Sequence, residues 1–361
     1  MTEGTPGAFA RPGVSPTDDL ADLVDGFGRA WESRPDERRE RWFTFADHPI
    51  RIRVVGAGLA DDIFRAFSHL QREPDGSAPA LTVDLWDEGE TGVAVEGLAP
   101  SGDLNEHGET YASDDGFVVV TARPQTRTAL HRVESRLVGW IADHGRLTQY
   151  ELGRPLHSEL MLWHKDRGVQ AIHAGLVARD GQGVLFGGPG GAGKSTTALT
   201  CLKAGFEYMA DDYVALEARP DGAYDGHSLF CSTHLEPNHL LKFPYLRPHA
   251  IPGRLPREDK SLVLLSEVLP DGLSRKARIR AVALPRVVDA PRPAVRPATT
   301  IEALLRLAPS SLILLPYAGV AAGEFEKLST FLETIPKYWL ELGRSMDEIP
   351  ERIGEILERH T

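Results

Sequence analysis

One octapeptide narrows the choice of fold more than any other part of the chain. Gly188-Pro189-Gly190-Gly191-Ala192-Gly193-Lys194-Ser195 fits the pattern G-x-x-x-x-G-K-[ST] at every fixed position. It follows an apolar stretch, "GVLFG", and opens a helical one, "KSTTALTCLKAG", which Gly205 stops. That context, strand then loop then helix, separates a phosphate cradle from an ordinary Gly-rich turn. Residues without bulky side chains let successive backbone N–H groups curl around phosphate oxygens, and the helix turns its positive end toward them. Lys194 supplies a mobile cation for β- and γ-phosphates, Ser195 a hydroxyl for Mg²⁺, and Thr196 extends the cradle into the helix. A chain with this element is α/β, and the element is a nucleoside triphosphate site, with ATP and Mg²⁺ the expected ligands.

A second feature follows at short range. Asp211 and Asp212 close the apolar run "FEYMADD", and Lys194 to Asp211 is 211 − 194 = 17 residues. That length holds one helix, a short turn and one strand, so the strand returns beside the loop and delivers both carboxylates to its rim. Adjacent residues of an extended strand point to opposite sides, so the two acids divide the work. One faces an acceptor hydroxyl as base, and the other faces Mg²⁺ or holds the local structure. Solvated acids at a strand end are the bland alternative, and proximity to a phosphate loop weighs against it.

The segment "IHAGLVARDGQGVLFGGPGGAGKSTTALTCLKAGFEYMADDYVAL" resembles the catalytic core of the HPr serine kinase/phosphorylase family. The elements match in order: a His-bearing strand, a second strand after the turn "RDGQ", the Gly-rich loop, a helix and an "ADD" strand. Weaker similarity to the wider HPr-kinase-like group, some of them peptide-tailoring kinases, continues through "STHLEPNHLLKFP", "REDKSLVLL", "IRAVALP" and "IPKYWLELGRSMDEIPERI". The resemblance implies an HPr-kinase-like fold, with Gly188 to Ser195 holding ATP and Ser195 on Mg²⁺. It also implies Asp211 as the base that takes the seryl proton, with Asp212 beside it, and the division of work above then leaves the metal to Asp212. His173 matches the family's histidine near the reacting phosphate; by itself a histidine in an apolar strand is a core or edge residue. The family's downstream glutamate signature is not found, and residues 1–150 do not read as its regulatory domain. HPr itself and the reverse phosphorylase reaction therefore fall outside the expectation.

Elsewhere the chain is informative mainly by exclusion. A formal net charge of −12 offers no general attraction to nucleic acid or an anionic membrane. No apolar run approaches the roughly 20 residues of a membrane span, and "MTEGTPGAFARPGVSPTDD" lacks the apolar core of a signal peptide. Two cysteines, Cys201 and Cys231, build no disulfide framework, so a reduced cytoplasm is the expected location. Residues 1–18 read as a disordered tail, 19–150 as a mixed α/β domain without a chemical motif, and 151–361 as the phosphate-loop domain. Within the second of these, "RTALHRVESRLVGWIADHG" has a helical pattern. At the C-terminus Ser345 and Glu348 have capping-box spacing ahead of the apolar face Ile349, Ile353 and Ile356.

Cys231, His234 and His239 in "CSTHLEPNH" are three ligand types without a fourth, so an ordinary loop outweighs structural zinc. Lys260 reads as a surface lysine before a strand, and the Arg- and Pro-rich loop 249–258 as a candidate lid or substrate-contacting segment. Three functions then compete: a kinase for a serine-type hydroxyl of a protein or peptide, a kinase for a small-molecule hydroxyl, and a nucleotide-binding regulatory ATPase. No "LSGGQ" or "NKxD" motif supports the last. Self-association stays open in every case.

Overall fold

The computed structural model describes residues 13–99, 108–256, 258–312 and 321–360. Most of the expected N-terminal tail lies outside them, but a helix already begins at Pro16 and runs to Ser33. Its start is set by Ser15, whose side chain accepts from the Asp18 backbone while Asp18 answers to the Ser15 backbone, with Pro16 in the first turn.

The chain divides into two compact units, residues 1–163 with 252–261, and residues 164–251 with 262–361. In the first, eight strands form one mixed sheet. Its order is Gln71–Arg72, Arg38–Phe45, His48–Val55, Leu81–Asp87, Arg136–Ile141, Thr126–His131, Val118–Ala122 and Glu109–Ala112. Helix Pro16–Ser33 buries Leu23, Phe27 and Ala30 against Trp86, Val120, Val138 and Trp140. Contact is so close that a Cβ on Gly26 would stand 2.8 Å from the Trp86 ring. Helix Ala57–Ala66 brings Phe64 within 5.8 Å of the Phe43 ring, part of a cluster with Phe45 and Phe67.

The helix expected over 127–145 is instead a hairpin, Thr126–His131 and Arg136–Ile141, paired from Thr126↔Ile141 to His131↔Arg136. Threonine, valine, isoleucine and tryptophan in these runs suit a pleated surface, and strands on both sides supply partners. The turn is closed by Ser135 in the left-handed region (φ 52°) and by Glu134 N donating to His131 Nδ1 at 3.1 Å.

In the second unit a mixed sheet is covered on both faces. Its order is Gln182–Gly187, Val169–Arg179, Tyr213–Ala218, Tyr224–Ser228, Lys276–Val287, Lys337–Leu342 and Ala294–Pro297. Gln182–Gly187 also pairs in parallel with Lys276–Val287. Alternation sorts the side chains. Val184, Phe186, Ala281 and Ala283 pack with Ala198, Leu199 and Leu202 of helix Lys194–Lys203 and with Ile353 and Ile356 of the last helix. Leu185, Val282 and Leu284 face the other way, onto Ala303 and Leu307 of helix Thr300–Leu312 and Leu328 and Phe331 of helix Ala321–Thr334. The α/β class read from the sequence holds in both units.

Two boundaries differ from expectation. "FEYMADDYVALEA" is two strands, Glu207–Ala210 and Tyr213–Ala218, with the aspartates at the break. Ser345 makes no side-chain cap; a 3₁₀ turn, Met346–Glu348, intervenes, and the α-helix starts at Ile349 with Pro350 in its first turn. Proline suits that first turn because it has no N–H to satisfy. The predicted apolar face, Ile349, Ile353 and Ile356, is buried as expected.

Candidate active site

The cradle is built by steric exclusion as much as by glycine's freedom. Gly191 and Gly193 stand in the left-handed region, at φ 76° and 107°. A Cβ on Gly193 would also lie 2.2 Å from Leu342 Cδ1, so the helix start can approach the Lys337–Leu342 strand only without a side chain. A Cβ on Gly190 would meet nothing, which leaves that side of the loop open. The helix Lys194–Lys203 takes Gly193 as its N-cap without a side-chain cap bond. Buried Lys194 donates from Nζ to the Gly188 carbonyl at 2.8 Å and to that of Pro189 at 3.3 Å, folding the ammonium back over the loop.

Strand pairing carries the aspartates to this loop. Val169–Arg179 lies between the strand that enters the loop, Gln182–Gly187, and both halves of the broken strand. Gly187 pairs with Ala174 on one side, and on the other Ala210 pairs with Leu176 and Tyr213 with His173. Asp211 and Asp212 therefore cross opposite Ala174 and Gly175. A Cβ on Gly175 would stand 3.3 Å from the Ala210 carbonyl and 3.4 Å from Asp211 Cα.

The two acids enter different surroundings. Asp211 is buried, 4% exposed. Its Oδ1 accepts from the Tyr208 hydroxyl at 3.0 Å, its Oδ2 from the Thr233 hydroxyl at 2.6 Å, and the Ser195 hydroxyl is a third partner. Burial raises its pKa above the usual carboxylate range, and the Asp212 charge adds to this; the hydroxyls of Thr233, Ser195 and Tyr208 pull the other way. Burial, followed by the Asp211 charge, also holds the Tyr208 phenol far above its ordinary value, so it stays a donor.

Asp212 is partly open to solvent and meets His173, Nε2 to Oδ1 at 2.6 Å. The Tyr213 ring lies 5.3 Å from the imidazole, and Ser311 Oγ accepts from the His173 backbone N–H at 3.2 Å. His173 Nδ1 is buried and makes no hydrogen bond.

Sequence reading therefore named the loop, both aspartates and the histidine, and these come together. It missed the residues that hold them: Tyr208, Thr233, Tyr213 and Ser311. Thr233 lies inside "CSTHLEPNH", where cysteine and histidine are the conspicuous ligand types. Among the described residues Cys231, His234 and His239 form no cluster of ligand atoms, and Cys231 Sγ faces Ser266 Oγ at 3.2 Å. Two charged residues of loop 249–258 are paired within the first unit. Arg254 donates to the Asp62 carboxylate (3.1 Å) and the His144 carbonyl (2.6 Å), while Glu258 accepts from Gln149 N at 2.6 Å. Lys260 is exposed.

A glycine cradle, a lysine over it, and a serine bound to a carboxylate at the start of the next helix form the arrangement expected of a phosphate loop with an acidic partner. That donor set, oxygen throughout, suits Mg²⁺, and the open face at Gly190 leaves room for phosphate. No protein-family model matches the chain. Over 65 residues it is 40% identical to the HPr kinase/phosphorylase of Streptococcus thermophilus, in strains LMD-9, CNRZ 1066 and LMG 18311 alike. The match takes in 18% of this chain and spans about a fifth (21%) of the length of those relatives. The solved HPr(Ser) kinase/phosphatase of Coxiella burnetii overlays with a TM-score of 0.27 at 14% identity, over 53% of this chain and 95% of that one. The sequence match makes the chain similar to HPr kinase/phosphorylases over that stretch. No described helix is long and apolar enough to cross a membrane.

Proposed function

We propose that this chain is an ATP-dependent phosphotransferase that moves the γ-phosphoryl group to a serine-type hydroxyl of a protein or peptide. The observation that carries the reading is the convergence beside the phosphate loop of two carboxylate pairs, Ser195 with Asp211 and His173 with Asp212. The likeness to HPr kinase/phosphorylases over part of the chain supports a protein acceptor.

Gly188 to Thr196 would hold the ATP phosphates, and Ser195 the Mg²⁺ that offsets negative charge on them. The contacts favour a division of labour opposite to the one expected from the sequence, which put the base at Asp211 and the metal at Asp212. Asp211 is enclosed by three hydroxyls, one of them the metal-binding serine, so it orients Ser195. Asp212 is the acid that an incoming hydroxyl can reach. It would accept the hydroxyl proton as the oxygen bonds to the γ-phosphorus and the bond to the bridging oxygen breaks, releasing ADP, and His173 fixes the carboxylate's direction. Lys194, released from the loop carbonyls, meets the phosphate charge.

The test is incubation of the full chain with γ-labelled ATP, Mg²⁺ and cell lysate. Label on protein as phosphoserine is the expected result, with slow hydrolysis until the acceptor is added, because an ordered acceptor completes the site. Label on a small metabolite would move the acceptor to that class. Rapid release of free phosphate without any acceptor would overturn the kinase reading in favour of a regulatory ATPase.

A further inference from the structure

The first unit holds a partly open cavity with an apolar and a polar wall. Its apolar wall includes Ile63, Leu85 and Ile141, and its polar wall Thr126, Glu151 and Arg154. Arg123 also reaches it, but its charge is matched: Nη1 lies 2.9 Å from Glu159 Oε1, which takes the Thr128 hydroxyl as well at 2.6 Å. Two acceptors are left over. Glu151 uses Oε2 for the Thr148 backbone and hydroxyl, both at 2.9 Å, while its Oε1 is buried without a hydrogen bond. Thr126 is 8% exposed and its hydroxyl is likewise without a partner. Buried polar atoms are almost always satisfied in a folded protein, so a pair of exceptions on one cavity wall asks for a ligand.

We propose that this cavity binds a small zwitterion of the α-amino acid class with an apolar side chain. The ammonium group meets Glu151 Oε1 and the Thr126 hydroxyl. The carboxylate meets Arg154, whose guanidinium has five N–H donors and can take it while keeping other partners. The side chain lies against Ile63, Leu85 and Ile141. Burial raises the Glu151 carboxyl above the usual range, and a bound ammonium would restore its charge. Neither part of this reading depends on the phosphate chemistry of the other unit.

Thermal melting of the full chain, with millimolar L-leucine, L-methionine or L-phenylalanine, tests it. At least one should raise Tm by about 2–5 °C, and isoamylamine and isocaproate, each lacking one charge, should shift it less. Glu151→Gln keeps an acceptor for Thr148 and should weaken binding at least ~10-fold. The near-isosteric Thr126→Val should weaken it several-fold while the fold persists. No rise with any of the three amino acids would overturn the proposal. So would an equal rise with isocaproate, or wild-type binding in both variants.

Discussion

The carboxylates at the strand break give the sharpest separation of roles. Asp212→Asn keeps size and most hydrogen bonding but cannot take a proton, so kcat should fall roughly 10²–10⁴-fold with ATP affinity near wild type. Asp211→Asn should instead raise the Mg²⁺ requirement, because it loosens the serine that meets the metal. The second variant also has a stability signature. The folded pKa of Asp211 is raised, so its contribution to stability is present below the unfolded value, near 3.9, and is lost as pH rises through the folded value. Asn removes that loss. Melting of Asp211→Asn should therefore exceed wild type at neutral pH, with the gap closing toward pH 4. A constant gap across that range would show that the carboxylate is not strained by burial. In the loop, Lys194→Ala should abolish productive ATP–Mg²⁺ binding while the fold persists, since the ammonium bonds to carbonyls of the loop itself. Unchanged nucleotide affinity in a folded variant would remove the phosphate assignment.

Among the elements, those whose side chains announce their chemistry were legible, and those defined by distant partners were not. Gly188 to Ser195 and the strand before it could be read because phosphate binding needs that sequence in that order. The covering helices Thr300–Leu312 and Ala321–Thr334 carry no such signal. The hairpin Thr126–Ile141 was misread because leucine, valine and tryptophan recur in it at intervals that also fit a helix; pairing with Leu81–Asp87 and Val118–Ala122 decides the matter. Gly139 records the decision. A Cβ there would lie 2.8 Å from Leu85 Cδ2 and 3.0 Å from Thr128 Cγ2, between neighbouring strands. Gly139→Val should therefore cost about 1–3 kcal/mol through overpacking, read as a lower denaturant midpoint. A helix in this place would have accepted valine at small cost, so an unaltered midpoint would count against the hairpin.

The course of the chain between units was the least legible feature of all. Residues 252–261 fall within the sequence of the second unit and yet belong to the first, and nothing in "PGRLPREDKS" says so. Its arginine and glutamate read as a solvated or substrate-facing loop, because their partners, Asp62, His144 and Gln149, lie more than a hundred residues away. Asp62 is the hub: it takes both terminal nitrogens of Arg254, and its Oδ2 lies 3.0 Å from His144 Nδ1. A protease needs a freed, extended segment, so its rate reports how often this loop opens. Loss of a partly exposed ion pair is worth about 1 kcal/mol at most, which multiplies the open population by about five. Asp62→Ala in the full chain should accordingly speed native-state trypsin cleavage after Arg254 by about that factor. If the Arg254 site is cleaved no faster in the variant, Asp62 does not hold the loop, and its place in the first unit rests on other bonds such as Gln149 N to the Glu258 carboxylate.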